Sequence, residues 1–206
     1  MVIAKARRGL GIICAALAVS AISMSAQRAG AGELSLSGSS ITISGSINPG
    51  DEYKFKEFLK SAGPVTTVHL DSGGGNIFAA GVMAHLIRSQ GLTTVVDASR
   101  QKCASACTIL FAAGVRRYYL NSASLAGGVV ACQGFRGLGF HQGASPGLSG
   151  VGRYSGEGTA EMIGLLYEFG ASSAAGLIDN SSPEFVYRPS EQRALALGIA
   201  TNIRGS

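Results

Sequence analysis

Apolar positions along this chain fall in short blocks whose period switches between two residues and three to four. Leu34 and Leu36 alternate with serines, and Ile41 and Ile43 flank Thr42, with Gly38-Ser39-Ser40 between the two runs; this is a strand-turn-strand pattern. Asn48-Pro49-Gly50-Asp51 marks a turn, and residues 52–61 place Tyr53, Phe55, Phe58 and Leu59 among lysines and glutamates, as an amphipathic helix does. Pro64 closes that element, and residues 65–70 read as a buried strand running into Asp71-Ser72-Gly73-Gly74-Gly75-Asn76. Helical spacing resumes through Phe78, Val82, Met83, Leu86 and Ile87 until Gly91. The β-branched run Thr93-Thr94-Val95-Val96 predicts a strand, and Thr108-Ile109-Leu110-Phe111-Ala112-Ala113 a helix that stops at Gly114.

Further along, Arg116-Arg117-Tyr118-Tyr119 is extended, residues 121–139 are glycine-rich, and Gly139-Phe140-His141-Gln142 reads as a short strand. Residues 144–158 read as a loop, 159–169 and 172–178 as helices, 179–182 as a turn, and Ser190 as the N-cap of a helix that Gly198 ends. The alternation of strands and helices predicts a single α/β domain.

Composition adds a compartment. The sequence is 206 residues long, 46% hydrophobic and 14% charged, enough for one core. Its net charge of +5 suggests a polyanion partner, but Lys5, Arg7, Arg8 and Arg28 all precede the first acidic residue, Glu33, and setting these four aside leaves about +1. No basic patch and no nucleic-acid partner are expected. Lys5, Arg7 and Arg8 stand before an apolar run at 10–26, followed by Ala29-Gly30-Ala31. Residues 1–31 therefore read as a signal peptide, leaving a 32–206 domain that is periplasmic or secreted; the alternative is an uncleaved membrane anchor. Cys14 would leave with the leader. Cys103, Cys107 and Cys132 remain, and in an oxidising compartment a pair could close. Cys103 and Cys107 allow either a disulfide around the turn between them or inert burial. No histidine is near enough in sequence to suggest zinc, so no metal and no cofactor are expected.

Candidate chemistry centres on Lys102-Cys103-Ala104-Ser105-Ala106-Cys107: the 93–96 strand lies upstream and the 108–113 helix starts directly behind, so Ser105 sits where that strand turns into a helix. Such a turn lifts a hydroxyl to a sheet edge and aims free helix N–H groups at the space beside it. The competing reading of Ser105 is an ordinary helix cap. The triple glycine at 73–75 frees backbone N–H groups at a helix start but matches neither phosphate-binding fingerprint; its competing reading is a plain tight turn. His141 follows Ser105 by some thirty residues and suits the role of its base if the fold brings it back. His69 and His85 sit inside a strand and a helix and read as structural.

Together these segments resemble exported proteins related to the Clp protease proteolytic subunit. The resemblance rests on 71–76 with its helix, Thr93-Thr94-Val95-Val96, Cys103-Ala104-Ser105-Ala106-Cys107, Ala113-Gly114-Val115-Arg116-Arg117, Gly139-Phe140-His141 and the closing 190–199 stretch, and it spans residues 43–199. It implies a Clp/crotonase-like fold of repeated strand-strand-helix units and a Ser-His-acid peptidase mechanism. Ser105 would be the nucleophile, His141 the general base, and the N–H groups of Gly74 and Ala106 the oxyanion hole. Two features depart from the family. The segment between serine and histidine is longer than usual, so residues 121–137 hold an insertion. No aspartate falls on the third catalytic position, near Val186; Glu184 is preferred as the acid, with Asp179 or no acid as alternatives. The resemblance also implies a homo-oligomer acting on peptides or unfolded segments. No ATP-driven unfoldase is expected, because an exported protein meets no cytosolic ATP. Two other classes stay in play: a non-catalytic binding or assembly protein on the same scaffold, and acyl-group chemistry of the crotonase type. The serine mechanism itself demands that the His141 ring come within about 3 Å of the Ser105 hydroxyl.

Overall fold

The first described elements form a hairpin, β1 (Glu33–Ser37) and β2 (Ser40–Ser44), paired antiparallel as the alternation predicts, with Gly38 in the turn at φ 59°. The computed structural model describes residues 32–145, 153–179, 181–182 and 185–204, with only the backbone of Asp179 included. Residues 1–31, read above as a signal peptide, and Glu184 lie outside the described residues.

From the hairpin the chain runs through α1 (Asp51–Ser61), β3 (Thr67–Asp71), α2 (Ile77–Ser89), β4 (Thr93–Asp97), a short β5 (Lys102–Ala104), α3 (Ala106–Ala113) and β6 (Arg116–Leu120). Strands β1-β2-β3-β4-β6 form one five-stranded sheet, parallel from β2 onward. Ile41, Ile43, Val68, Leu70, Thr94 and Val96 are buried on one face with α2 and α3, whose Met83, Ile87, Leu110 and Phe111 complete the core. The opposite face carries Ser40, Thr42, Thr67 and His69 and is only partly covered. Residues 65–70 read in sequence as a buried strand. Instead, strand pairing starts at Thr67 and only Val68 and Leu70 point inward, because helices cover a single face of this sheet.

The second half of the chain adds smaller pieces around this sheet. These are β7 (Gly128–Ala131), β8 (Gly137–Gly139), β9 (Ala144–Ser145), β10 (Arg153–Tyr154), α4 (Gly156–Glu168), a 3₁₀ turn at Ser172–Ala174, α5 (Ala175–Asp179), β11 (Phe185–Arg188) and α6 (Glu191–Ala196). β5 pairs parallel with β8, β7 antiparallel with β11, and β9 antiparallel with β10. The 144–158 stretch is therefore not all loop: two short strands lie in it and α4 starts at Gly156. His85 is structural, as expected. Its Nδ1 lies 2.7 Å from the Gly81 carbonyl and its Nε2 2.8 Å from Glu168, tying α2 to α4.

Arg117 fixes the C-terminal segment onto this frame. Its guanidinium, 8% exposed, donates to the carbonyls of Ile199 (2.9 Å) and Gly198 (2.8 Å), with longer bonds to Gly114 and Ala112. Ala112 and Gly114 stand at the end of α3, where carbonyls lack intrahelical partners, and Gly198 and Ile199 lie just past α6. Arg117→Met is expected to strand these carbonyls and destabilise the protein by about 3 kcal/mol. Thermal unfolding should read this as a fall of roughly 6–12 °C in Tm.

Candidate active site

Ser105 stands between β5 and α3, at the N-cap position of the helix, and its backbone angles are φ 54°, ψ −131°. A non-glycine residue in that region is strained by about 1–3 kcal/mol and persists only where its surroundings hold it. The constraints sit on both sides. Ser105 N–H donates to the Gly139 carbonyl at 3.0 Å, and the Ser105 carbonyl accepts from Thr108 N–H at 2.8 Å and from Thr108 Oγ1 at 2.7 Å. A disulfide joins Cys103 to Cys107 across the turn, with both residues fully buried. Of the two readings of this pair left open by the sequence, the closed bond is the one formed.

The side chain of Ser105 makes no capping bond to its helix. The contrast with other caps is direct: Asn76, Ser155 and Ser190 each accept an N–H of the first turn of α2, α4 and α6. Those three stabilise their helices; the Ser105 hydroxyl does not. Ser105 lines a cleft of about 700 Å³, together with Gly75, Asn76, Ala106, Ser155 and Glu161.

The glycine turn approaches from β3. Ser72 continues that strand beside β5, donating to the Lys102 carbonyl at 2.8 Å and accepting from Ala104 N–H at 3.1 Å. Gly74 follows at φ 96°, so close that a Cβ built on it would lie 2.6 Å from the Ser105 Cβ and 3.0 Å from the Ala106 nitrogen. The triple glycine is thus more than a tight turn. Its backbone is pressed against the serine, where any side chain would collide. The Gly74 N–H donates to Ser72 Oγ at 3.0 Å. By contrast, the N–H groups of Gly75 and Ala106, both lining the cleft, donate to no described residue.

His141 reaches the same neighbourhood through β8. Parallel pairing sets Ala104 opposite Gly139, so Ser105 and His141 leave adjacent strands, spaced about 4.8 Å, at the same end. The ring is 8% exposed, and burial pushes its pKa below the ordinary 6.5, partly opposed by a 2.6 Å contact between Nδ1 and the Gln142 carbonyl. With Nδ1–H donating to that carbonyl, Nε2 carries the lone pair, the tautomer a general base needs. Among the described residues no hydrogen bond joins the His141 ring to the Ser105 hydroxyl. Next to it, Phe140 exchanges backbone bonds of 3.0 and 2.7 Å with Tyr187, placing β11 alongside. Val186, on β11, is fully buried.

The fold therefore brings the stretches holding Ser105, Ala106, Gly74 and His141 together from three separate segments. Sequence reasoning missed Ser72, Gln142 and Gly75. Ser72 stood inside the glycine motif and Gln142 directly after His141, but Ser72 Oγ accepts a main-chain N–H and Gln142 acts through its main-chain carbonyl, groups whose directions no spacing specifies. No cluster of potential metal ligands occurs among the described residues, and none of their helices is long and apolar enough to cross a membrane.

No family model matches the sequence, and no curated protein does. Solved structures do. A mutant of the 1510-N membrane-bound stomatin-specific protease aligns with a TM-score of 0.56 at 14% identity, covering 79% of this chain and 77% of its own. ClpP1 from Listeria monocytogenes aligns at 0.54 with 19% identity, over 81% of this chain and 91% of its own. The ClpP catalytic domain from Plasmodium falciparum gives 0.52 at 13%, over 80% and 84%. The chain has the Clp/crotonase-like α/β fold.

Proposed function

We propose that this protein is an exported serine peptidase acting on peptides or unfolded segments, with Ser105 as nucleophile and His141 as general base. The observation that carries the reading is the state of Ser105: strained, held on both sides, released from capping, and set on the wall of a cleft. A helix-cap serine has no use for such a backbone. The solved neighbours, two ClpP chains and a stomatin-specific protease, supply the substrate class by likeness.

In the proposed reaction Ser105 Oγ attacks the scissile carbonyl carbon while its proton passes to His141 Nε2. The oxyanion is received by the Ala106 N–H at the start of α3, with Gly74 as second donor once it gives up Ser72 Oγ. Collapse expels the amine, which takes the proton from His141, and water then hydrolyses the acyl-serine by the same base. The Gln142 carbonyl orients the ring before substrate arrives. Glu184, directly before β11 in the sequence, is the carboxylate proposed to stabilise the imidazolium. Export is supported by the leader pattern and by the disulfide, a bond that persists in oxidising compartments. A homo-oligomer is proposed from the ClpP likeness, without an ATP-driven unfoldase.

A fluorophosphonate probe is expected to label the folded protein at Ser105, and Ser105→Ala to remove the label while Tm stays near wild type. Absence of labelling in folded wild type refutes the reading. One feature favours a second reading, a binding or assembly protein on this scaffold: His141 is bonded to a main-chain carbonyl and not to Ser105. That reading predicts that Ser105→Ala leaves every cellular phenotype unchanged.

A further inference from the structure

We propose that the Cys103–Cys107 disulfide is the positioning element that makes Ser105 competent, so that oxidation assembles the site and reduction dismantles it. This rests on the reading of Ser105 as nucleophile. The bond spans four positions and encloses Ala104, Ser105 and Ala106, that is, the nucleophile and the N–H proposed to receive the oxyanion. A loop this short removes little entropy from the unfolded chain compared with a long one, so global stability is a poor account of it. Local geometry is the better one. Ser105 holds a left-handed φ of 54° that serine disfavours, and α3 behind it is a short helix that would be marginal by itself. Cys103 belongs to β5, paired on one side with β8 and bridged on the other to Ser72, so the bond ties the first turn of α3 to a fixed strand. Without it the turn is free to relax toward an ordinary cap, in which the serine hydroxyl bonds its own helix and leaves the cleft.

Closing the bond removes two protons and two electrons from two thiols. The oxidant is a protein disulfide or oxidised glutathione, which is reduced to the corresponding thiols by exchange. Both cysteines are fully buried, so exchange proceeds through opening of the turn. In a reducing cytosol Cys103 and Cys107 are both thiols and the serine is slack, so peptidase activity arises only where disulfides form.

The test uses the purified full chain with Cys14→Ser and Cys132→Ser, so that exchange is confined to the pair. Parallel samples are reduced with dithiothreitol until mass tagging by iodoacetamide shows Cys103 and Cys107 both reactive, and fluorophosphonate labelling is followed in time. Reduction is expected to lower the labelling rate constant about 100-fold, the loss that misplacing a reacting group by about 1 Å produces. Reoxidation by oxidised glutathione should restore it. Cys103→Ser with Cys107→Ser should match the reduced protein, with kcat on a peptide reduced and KM kept. A purely structural crosslink behaves differently: it lowers the amount of labelled protein and Tm, but leaves the rate constant of the folded fraction intact. An unchanged rate constant in protein shown to be reduced overturns the proposal. Failure of the oxidised wild type to label overturns the nucleophile reading itself, so the two failures are distinct.

Discussion

Gly74→Ala is expected to abolish fluorophosphonate labelling and to destabilise the protein, while Gly73→Ala leaves both near wild type. The two glycines are neighbours, so the contrast isolates position from composition. At Gly74 the φ of 96° disfavours any side chain, and the new Cβ would sit 2.6 Å from both the Ala104 carbonyl oxygen and the Ser105 Cβ. Neither is the movable end of a flexible side chain, so the turn and the serine must separate. The backbone and packing terms together amount to about 2–3 kcal/mol. Loss of one oxyanion donor alone lowers acyl transfer by about 10²–10³-fold, and a displaced nucleophile adds to that. A Cβ at Gly73 meets nothing within 4 Å. Labelling kinetics and thermal melts on the two variants decide the matter; equal behaviour would mean that the approach of the glycine turn to Ser105 has no part in the chemistry.

His141→Gln is expected to lower peptide hydrolysis by about 10²–10⁴-fold, the usual contribution of a positioned base. Its pH profile carries more information than its size. Burial depresses the pKa of His141 below 6.5, and a base works only when neutral. If His141 is the base, the acid limb of kcat/KM in the wild type should therefore fall below 6.5, with activity kept in mildly acidic medium, and His141→Gln should lose that limb. Stability follows the same sign. The unfolded chain binds the proton more readily than the fold does, so the folded state is favoured fully above 6.5 and progressively less as pH falls through the depressed native value. An acid limb at or above 6.5 in the wild type would mean that His141 is not the titrating base.

How much was legible beforehand differs by element. Helices α1 and α2 and strands β2 to β4 lie within a few residues of their expected positions, because each buries one face and its periodicity records that face. Strands β7 and β11 went unread. β7 alternates half-buried and exposed residues, with Val129 57% exposed, so its pairing leaves no core-facing signature. β5 was missed for another reason: Cys103 and Ala104 are buried on an element three residues long, below the length at which a period can be counted. At the site, the sequence nominated Ser105, His141, Gly74 and Ala106 as residues. It could not show that Gly74 N–H turns to Ser72 or that the His141 ring turns to Gln142.

By itself the sequence determined the chemical inventory: a serine on a small-residue turn, cysteines on either side of it, a glycine run at a helix start, and a histidine behind an aromatic. These follow from local constraints, the periodicity and backbone freedom that neighbouring residues impose. Tertiary structure alone decided which of them meet. Parallel pairing of β5 with β8 brought residues far apart in the chain to one sheet end, and contact between Gly74 and Ser105 excluded any side chain at the turn. The disulfide, too, was settled only by burial of both cysteines across a fixed strand and helix. Contacts between distant segments depend on how whole layers pack, and local spacing holds no record of that.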